Sequence, residues 1–467
     1  MTGSRKNPAK RKQALFDQST MSTMHEQAAI PLFEEIVNGY HKRLASEAPP
    51  ESSDLRRARQ SAFDKFRLIG FPTIRQEDWK YTNLSRFLKE EYAIDAHPGG
   101  ASTAVNTPSP KSPGALIPGL DAYRIVLVNG VWDGKVSGGP LPSGLELMRM
   151  QDALTDPTLA EYVENGKWGN LAFPNLNTAL FTDGLLIRVT GTVDRPLHVA
   201  HYYGAEKNVL IQPRNLWMVG ANAGVTVIET IHSASGEGRI WVNSLTEVIA
   251  RRDARVDHLL IQAAEAGIRL VNHTTVRQKR QSLYNNYTFT FPGAELVRND
   301  LQLRLEEDHT ETHLYGLYLA SGQQVVDNHT LVDHQQPNCF SNELYKGVLL
   351  ERSTGVFNGK VYVHQDAQKT NAFQQNNNLV IGKQATIDSK PELEIFADDV
   401  KCSHGSTVGQ FSEDALFYLR ARGIGEEAAK AMLIAAFAFD VTEKVKVKAI
   451  QHYINDLINH HIPANHG

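Results

Sequence analysis

The chain has only two cysteines, Cys339 and Cys402, among 467 residues. Two cysteines are too few for the disulfide framework of a secreted protein and fit a reducing compartment. No apolar run of secretory length follows the basic N-terminal residues, and the most apolar late stretch, residues 432–439, is far shorter than the roughly 20 residues that cross a bilayer. These absences predict a soluble cytoplasmic protein with no membrane segment.

A basic excess is also lacking, since the formal net charge is -4. Binding to a phosphate backbone normally requires an excess of Lys and Arg, so we expect no nucleic-acid partner. The nearest candidate for a phosphate-binding loop, residues 355–361, has too short a glycine spacing and lacks a hydroxyl residue after Lys360. The common zinc-protease, dithiol and serine-hydrolase motifs are absent as well. We predict no nucleotide site in this chain, so any ATP hydrolysis would come from another subunit.

The hydrophobic pattern divides the chain into regions. Residues 1–21 form a basic segment that is predicted to be a flexible tail, and residues 22–95 have helical periodicity. Residues 96–119 are rich in Pro, Gly, Ser and Ala and are expected to form a linker. Residues 120–410 alternate with the period of a strand, and residues 411–467 return to the helical period. The apolar positions of the first helical region are Ile30, Phe33, Ile36, Val37, Phe63, Phe66 and Leu68.

The long alternating region predicts stacked strands. Short apolar runs recur about every ten residues, separated by polar turns, with no helical pattern between them. A β-sandwich would also have short strands, but the length of the series and the amide-rich run 374–378, whose side chains can stack across rungs, favour a right-handed parallel β-helix. We therefore predict a mainly β fold with a β-helix core and α-helical domains on both sides. The alternating runs include Val225/Val227, Tyr287/Phe289/Phe291, Leu301/Leu303/Leu305 and Leu393/Ile395.

The strongest chemical signal is the sequence DDVKCSHG at residues 398–405. In a strand, side chains two residues apart point to the same face, so Cys402 and His404 are expected to lie side by side. They form half of a soft metal site, because two ligands cannot complete the four-coordinate shell of a structural zinc or a cluster iron. The other ligands must come from elsewhere, such as another chain. Alternatively, an isolated Cys is often a small buried hydrophobe.

The sequence around this motif resembles the SufB/SufD family of iron–sulfur cluster assembly scaffolds. The resemblance is carried by residues 368–379 and 390–397 upstream, by residues 406–424 downstream, and by the element EDWKYTNL at residues 77–84. The KCSHG run is similar to the SufD branch of that family. The resemblance is nearly end to end, and it is weakest in residues 1–25 and in the middle third.

The resemblance implies a non-enzymatic scaffold that pairs with SufB and binds the ABC-type ATPase SufC. It implies that His404 takes part in forming a transient iron–sulfur cluster shared with SufB, with Cys402 beside it. One imidazole among thiolates suits a scaffold, which must release its cluster. Whether a flavin takes part stays open, and a homodimer is possible when the chain is alone. In this family the C-terminal helices dock the ATPase, and the expected docking residues are Leu416, Leu419, Met432, Leu433 and Phe437.

Two other functions are compatible with parts of the sequence. A β-helix often carries a polysaccharide lyase or hydrolase, for which Asp327, Asp333 and Asp366 could supply carboxylates. The histidines of the second half could instead make a self-sufficient metal-binding protein. For Cys339 we expect a buried structural role, and for Trp79 a place in an aromatic core.

Overall fold

The computed structural model describes residues 27, 30–45, 52–94, 117–156, 162 and 168–462. The predicted basic tail, and residues 96–116 of the predicted linker, lie outside the described residues. The described chain begins with helices, continues into a parallel β-solenoid of about eight turns, and ends with helices. The prediction of a mainly β, parallel helical fold with flanking helices is confirmed.

The N-terminal helices pack an aromatic face against the solenoid. Ser52 caps the N-terminus of the second helix, since its Oγ accepts a hydrogen bond from the Leu55 amide at 3.0 Å. Phe63 and Phe66 are buried as expected, whereas Leu68 is 47% exposed, so its assignment to the apolar face was wrong. The helices before the last strand are α1 (Pro31–Ala45), α2 (Ser53–Ile69), a 3₁₀ turn (Glu77–Trp79), α3 (Met150–Ala153) and α4 (Ala172–Leu180).

The solenoid is built from two sheets, which are parallel except for antiparallel pairs near their start. From Arg214 onward, successive strands alternate between the two sheets. In this later part, each strand pairs with the next strand but one along the chain, as Arg255 does with Leu283 in one sheet and Thr354 with Thr386 in the other. The early strands are β1 (Ala93–Ile94), β2 (Tyr123–Val128), β3 (Val131–Trp132), β4 (Leu145–Arg149), β5 (Leu185–Val189), β6 (Leu197–Tyr203), β7 (Val209–Ile211), β8 (Arg214–Val219) and β9 (Gly224–Ser233). The later strands are β10 (Ile240–Ala250), β11 (Arg255–Gln262), β12 (Ile268–Gln278), β13 (Leu283–Thr290), β14 (Leu296–Leu305), β15 (Glu311–Ala320), β16 (Val325–His334), β17 (Phe340–Leu349), β18 (Thr354–Val363), β19 (Asn371–Val380), β20 (Thr386–Ile395) and β21 (Lys401–Gly409).

The solenoid core is apolar for most of its length and polar at defined places. The predicted alternating residues of β9, β13 and β14 are buried, but Ile395 in β20 is 38% exposed because β20 is the last strand of its sheet. Amides do stack across rungs, although not where the sequence suggested. Asn272 donates to Asn299 at 3.1 Å, and Asn299 donates to Asn328 at 3.0 Å. In the run 374–378, the side chains bond to other partners instead.

The C-terminal helices cover one sheet of the solenoid. Lys346 of β17 donates from Nζ to the carbonyl of Phe437 at 2.9 Å and to the carboxylate of Asp440. Among the residues that the structure describes, no helix combines the length and apolarity needed to cross a membrane. These helices are α5 (Glu413–Ala421), α6 (Glu426–Thr442) and α7 (Lys448–His461).

Candidate functional site

The site predicted from the sequence lies at the open end of the solenoid. β21 pairs with β19 and β20 pairs with β18, and each strand is the last of its sheet among the described strands. Every residue of β21 is exposed except Cys402, which is half-buried. The outer edges of both strands therefore present backbone N–H and C=O groups without a neighbouring strand in the described chain.

Cys402 and His404 both face the interior side of this open end. Cys402 is paired with Ala372 and packs on the same apolar cluster, which includes Val363. Two residues after His404, the Ser406 hydroxyl lies 2.8 Å from that of Ser389 in the opposite sheet. Because residues two apart in a strand share a face, His404 lies on this inner face between a residue that packs inward and one that reaches across. The exposed imidazole thus stands at the mouth of the solenoid interior.

The Cys402 thiol is harder to ionise than an exposed thiol. Its burial raises the pKa above the usual value, and a backbone hydrogen bond from Ala372 opposes this rise in part. Since the thiolate is the metal ligand, iron or a partner's positive charge would have to displace the proton. Cys339 is 1% exposed, in keeping with the expected buried structural role.

A polar column leads from the interior to His404. Glu343 in β17 pairs with Gln374 in β19, which pairs with His404 in β21. Gln374 Nε2 donates to Glu343 Oε2 at 2.8 Å, and both side chains are 3% exposed. Burial raises the pKa of Glu343 to about 7, although the hydrogen bond from Gln374 opposes the rise. Sequence reasoning missed Glu343, because only the rung register places it in line with the motif.

The five histidines between residues 309 and 364 bond to separate partners. Four of them bond to a carboxylate: His309 to Asp308 (2.9 Å), His313 to Glu311 (2.7 Å), His329 to Asp327 (2.9 Å) and His364 to Asp333 (2.8 Å). His334 bonds to the Ser341 hydroxyl at 2.9 Å. No group of three or more His, Cys, Asp or Glu in the described part of the chain is arranged to hold a metal ion. The geometry of these residues gives no support to a histidine metal site within one chain.

The EDWKYT element anchors the N-terminal region to the solenoid. Trp79 is 9% exposed and lies under the guanidinium of Arg298, and Thr82 donates to the carboxylate of Asp327. Asp327 also accepts from Arg298 at 2.7 Å. A carboxylate held by these partners is poorly placed for the lyase or hydrolase chemistry considered from the sequence.

The expected docking residues of the C-terminal helices differ in exposure. Met432 is 51% exposed, whereas Leu416, Leu419, Leu433 and Phe437 are half-buried. Phe437 packs on the apolar cluster between the helices and the solenoid. The structure also exposes three aromatic residues that the sequence analysis did not select, which are Phe417 (74%), Tyr418 (57%) and Phe439 (55%).

Two family models match the chain and together cover most of its length. Residues 26–199 match the SufBD protein N-terminal region, and residues 202–437 match the SufBD core domain of the SUF system for iron–sulfur cluster assembly. The chain belongs to the SufBD family. The predicted membership is confirmed, and the SufBD core model includes the open end and most of α6.

Individual relatives of this SufBD protein align along most of their lengths. An iron–sulfur cluster assembly SufBD family protein of Synechocystis sp. is 32% identical over 90% of this chain and 93% of its own. The iron–sulfur cluster assembly protein SufD of Escherichia coli is 27% identical over 94% of this chain and 99% of its own. The chloroplastic protein ABCI7 of Arabidopsis thaliana is 28% identical over 87% of this chain and 86% of its own. The chain is thus a SufD homologue and a SufBD family protein of iron–sulfur cluster assembly.

Proposed function

We propose that this SufBD protein is a non-enzymatic scaffold subunit that forms a nascent iron–sulfur cluster together with SufB. The observation that carries the proposal is the position of Cys402 and His404 on the inner face of the last strand, at an open sheet edge. Two ligands leave the coordination shell of cluster iron incomplete, so the cluster needs ligands from a second chain. A site at an edge is where a second chain can supply them.

The open edges of β20 and β21 suit pairing with another solenoid. An unpaired strand edge binds a partner strand through backbone hydrogen bonds, which would extend both sheets across the interface. Apolar side chains flank this end, since Phe396 is 56% and Val408 is 59% exposed. When the partner moves away, the cluster loses half of its ligands and can be transferred.

SufC, the ABC-type ATPase, is the proposed partner of the C-terminal helices. Exposed aromatic residues are typical anchors of protein interfaces, and Phe417 and Tyr418 on α5 with Met432 and Phe439 on α6 supply them. We propose residues 411–467 as the docking domain, residues 22–95 as the N-terminal domain and residues 120–410 as the core. ATP-driven closure of two SufC subunits would then pull the paired scaffolds apart in the cytoplasm.

The test of the site is His404→Ala in the chain co-expressed with SufB and SufC, followed by anaerobic purification and assays of iron and sulfide. We expect intact assembly with cluster content reduced at least about tenfold. His309→Ala is the matched control, because the His309 side chain is 52% exposed and bonds only to Asp308 among the described residues. Normal cluster content and normal client maturation in the His404→Ala complex would refute the assignment.

The docking proposal is tested by Phe417→Glu in the same complex. A charge at the proposed anchor should abolish co-purification of the ATPase while SufB is retained. The control is Ile74→Glu, which places the same charge at another exposed apolar residue, 52% exposed, in the N-terminal region. Retention of the ATPase by Phe417→Glu, or its loss in both variants, would contradict docking at α5.

A further inference from the structure

We infer that Gln374 is the positioning residue for His404 and that its amide oxygen fixes the tautomer of the imidazole. The inference deepens the proposed function and rests on it, because a histidine can bind iron only through a ring nitrogen that carries no proton. A histidine with a fixed tautomer is a better ligand than one free to exchange between two forms.

The amide of Gln374 is held on one side only. Nε2 donates to Glu343 Oε2 at 2.8 Å, which points the NH₂ group toward the preceding rung. Oε1 is buried and accepts no hydrogen bond from any residue that the structure describes. A buried acceptor without a donor is destabilising, so a hydrogen bond donated to this oxygen would stabilise the folded chain.

His404 is the residue in register with that oxygen, and the proposed bond forms when its imidazole N–H turns toward the amide. It pairs directly with Gln374 in the parallel ladder, so the two side chains project from the same face of neighbouring strands, about 4.8 Å apart at the backbone. Cys402 and Ser406, its neighbours on this face, carry a thiol that packs inward and a hydroxyl bonded to Ser389. An imidazole N–H that donates to Gln374 Oε1 leaves the other ring nitrogen free for a metal.

A glycine in the opposite sheet makes room for the amide. A Cβ placed on Gly359 of β18 would lie 2.4 Å from Gln374 Nε2 and 2.7 Å from the ring of Phe357. At distances below 3.0 Å the neighbouring atoms must shift, so a larger residue at this position would displace the amide of Gln374, the ring of Phe357 or both. The absence of a side chain at Gly359 thus leaves the space that the Gln374 amide occupies.

The experiment measures the tautomer of His404 in the iron-free full chain by long-range ¹H–¹⁵N NMR at pH 8 with histidine-selective labelling. His404→Ala assigns the signal. In wild type we expect one dominant tautomer, and in Gln374→Leu a shift of the tautomer ratio by about fivefold, the equilibrium effect of one ordinary hydrogen bond. Asn377→Leu is the matched control: Asn377 lies on the same strand, and its side chain bonds to Thr407 on the other face.

Glu343→Gln provides a second variant, since its amide oxygen can still accept from Gln374 and should keep the wild-type ratio. An unchanged ratio in Gln374→Leu, or an equal shift in Asn377→Leu, would overturn the inference. A different measurement tests the proposed function. Normal cluster content in the His404→Ala complex would refute that function, whatever the tautomer ratio of His404 is.

Discussion

The guanidinium of Arg298 lies over the indole of Trp79, with its carbon 3.8 Å from the ring centroid. The same guanidinium bonds to Asp300 through two nitrogens, at 3.0 and 2.8 Å, and to Asp327 at 2.7 Å. It also donates to the Asp78 carbonyl at 2.8 Å. One buried cation therefore joins two solenoid carboxylates to an N-terminal segment that lies far earlier in the chain.

We expect Arg298→Met to destabilise the protein by about 3–5 kcal/mol, because it leaves two carboxylates in a buried place without their cation. Chemical denaturation followed by tryptophan fluorescence measures the change in free energy of unfolding. Arg188→Met is the control, since the Arg188–Glu146 pair is partly exposed and should contribute no more than about 1 kcal/mol. Equal losses in the two variants would contradict the anchoring role.

Glu343 makes the folded state less stable as pH rises. Its pKa is about 7 in the folded chain against an ordinary value of 4.5, so between these pH values the unfolded chain releases a proton that the folded chain retains. This contribution is absent below pH 4.5 and reaches a cost of roughly 3 kcal/mol above pH 7. Glu343→Gln should therefore increase stability at pH 8 and leave it nearly unchanged at pH 4.5.

Thermal unfolding of wild type and Glu343→Gln at pH 4.5, 6 and 8 measures this difference. The exposed residue Glu265 provides the control substitution, Glu265→Gln. A stabilisation by Glu343→Gln that does not vary over this pH range would show that the carboxyl group is not held in its protonated form.

Cys402 should react slowly with thiol reagents in the isolated chain. Burial raises the pKa of its thiol above the usual value, so little thiolate is present at pH 7.5. Ellman's reagent should label Cys402 several-fold more slowly than a peptide cysteine, with a rate that rises with pH, and should label Cys339 only after unfolding. Cys402→Ser identifies the signal. Labelling of Cys402 at the rate of a free thiol would contradict the prediction.

Lys346 should control how firmly α6 stays on the solenoid. Its side chain is 5% exposed and bonds to the Phe437 carbonyl and to the Asp440 carboxylate. Loss of charge-assisted hydrogen bonds in Lys346→Met should raise amide hydrogen exchange in Glu426–Thr442 by at least about tenfold. Lys383→Met, at an exposed position, should leave exchange in this helix unchanged. Unaltered exchange in Lys346→Met would show that the bonds from Lys346 do not hold α6 on the solenoid.

The sequence predicted those features that depend on local spacing. Alternation identified the buried faces of β9, β13 and β14, and the two-residue spacing placed Cys402 and His404 on one face. Features that depend on register between rungs were missed. The partner of Gln374 is Glu343 on the preceding rung, and because turns vary in length, the number of residues between two such partners cannot be read from the sequence. The exposure of the C-terminal helices was hard to predict for a related reason. An apolar stripe on such a helix also marks the side that faces its own solenoid, as it does for Phe437.

From β8 onward, strands alternate between two sheets, so backbone pairing joins each rung of the solenoid only to the rungs next to it. In such a one-dimensional array, stability is a sum of nearest-neighbour terms, and an end rung receives only one of them. We therefore expect the Cys402–His404 rung to open more readily than the rungs behind it. A second chain stacked on it would supply the missing term, so that binding of the partner and ordering of the site become a single event.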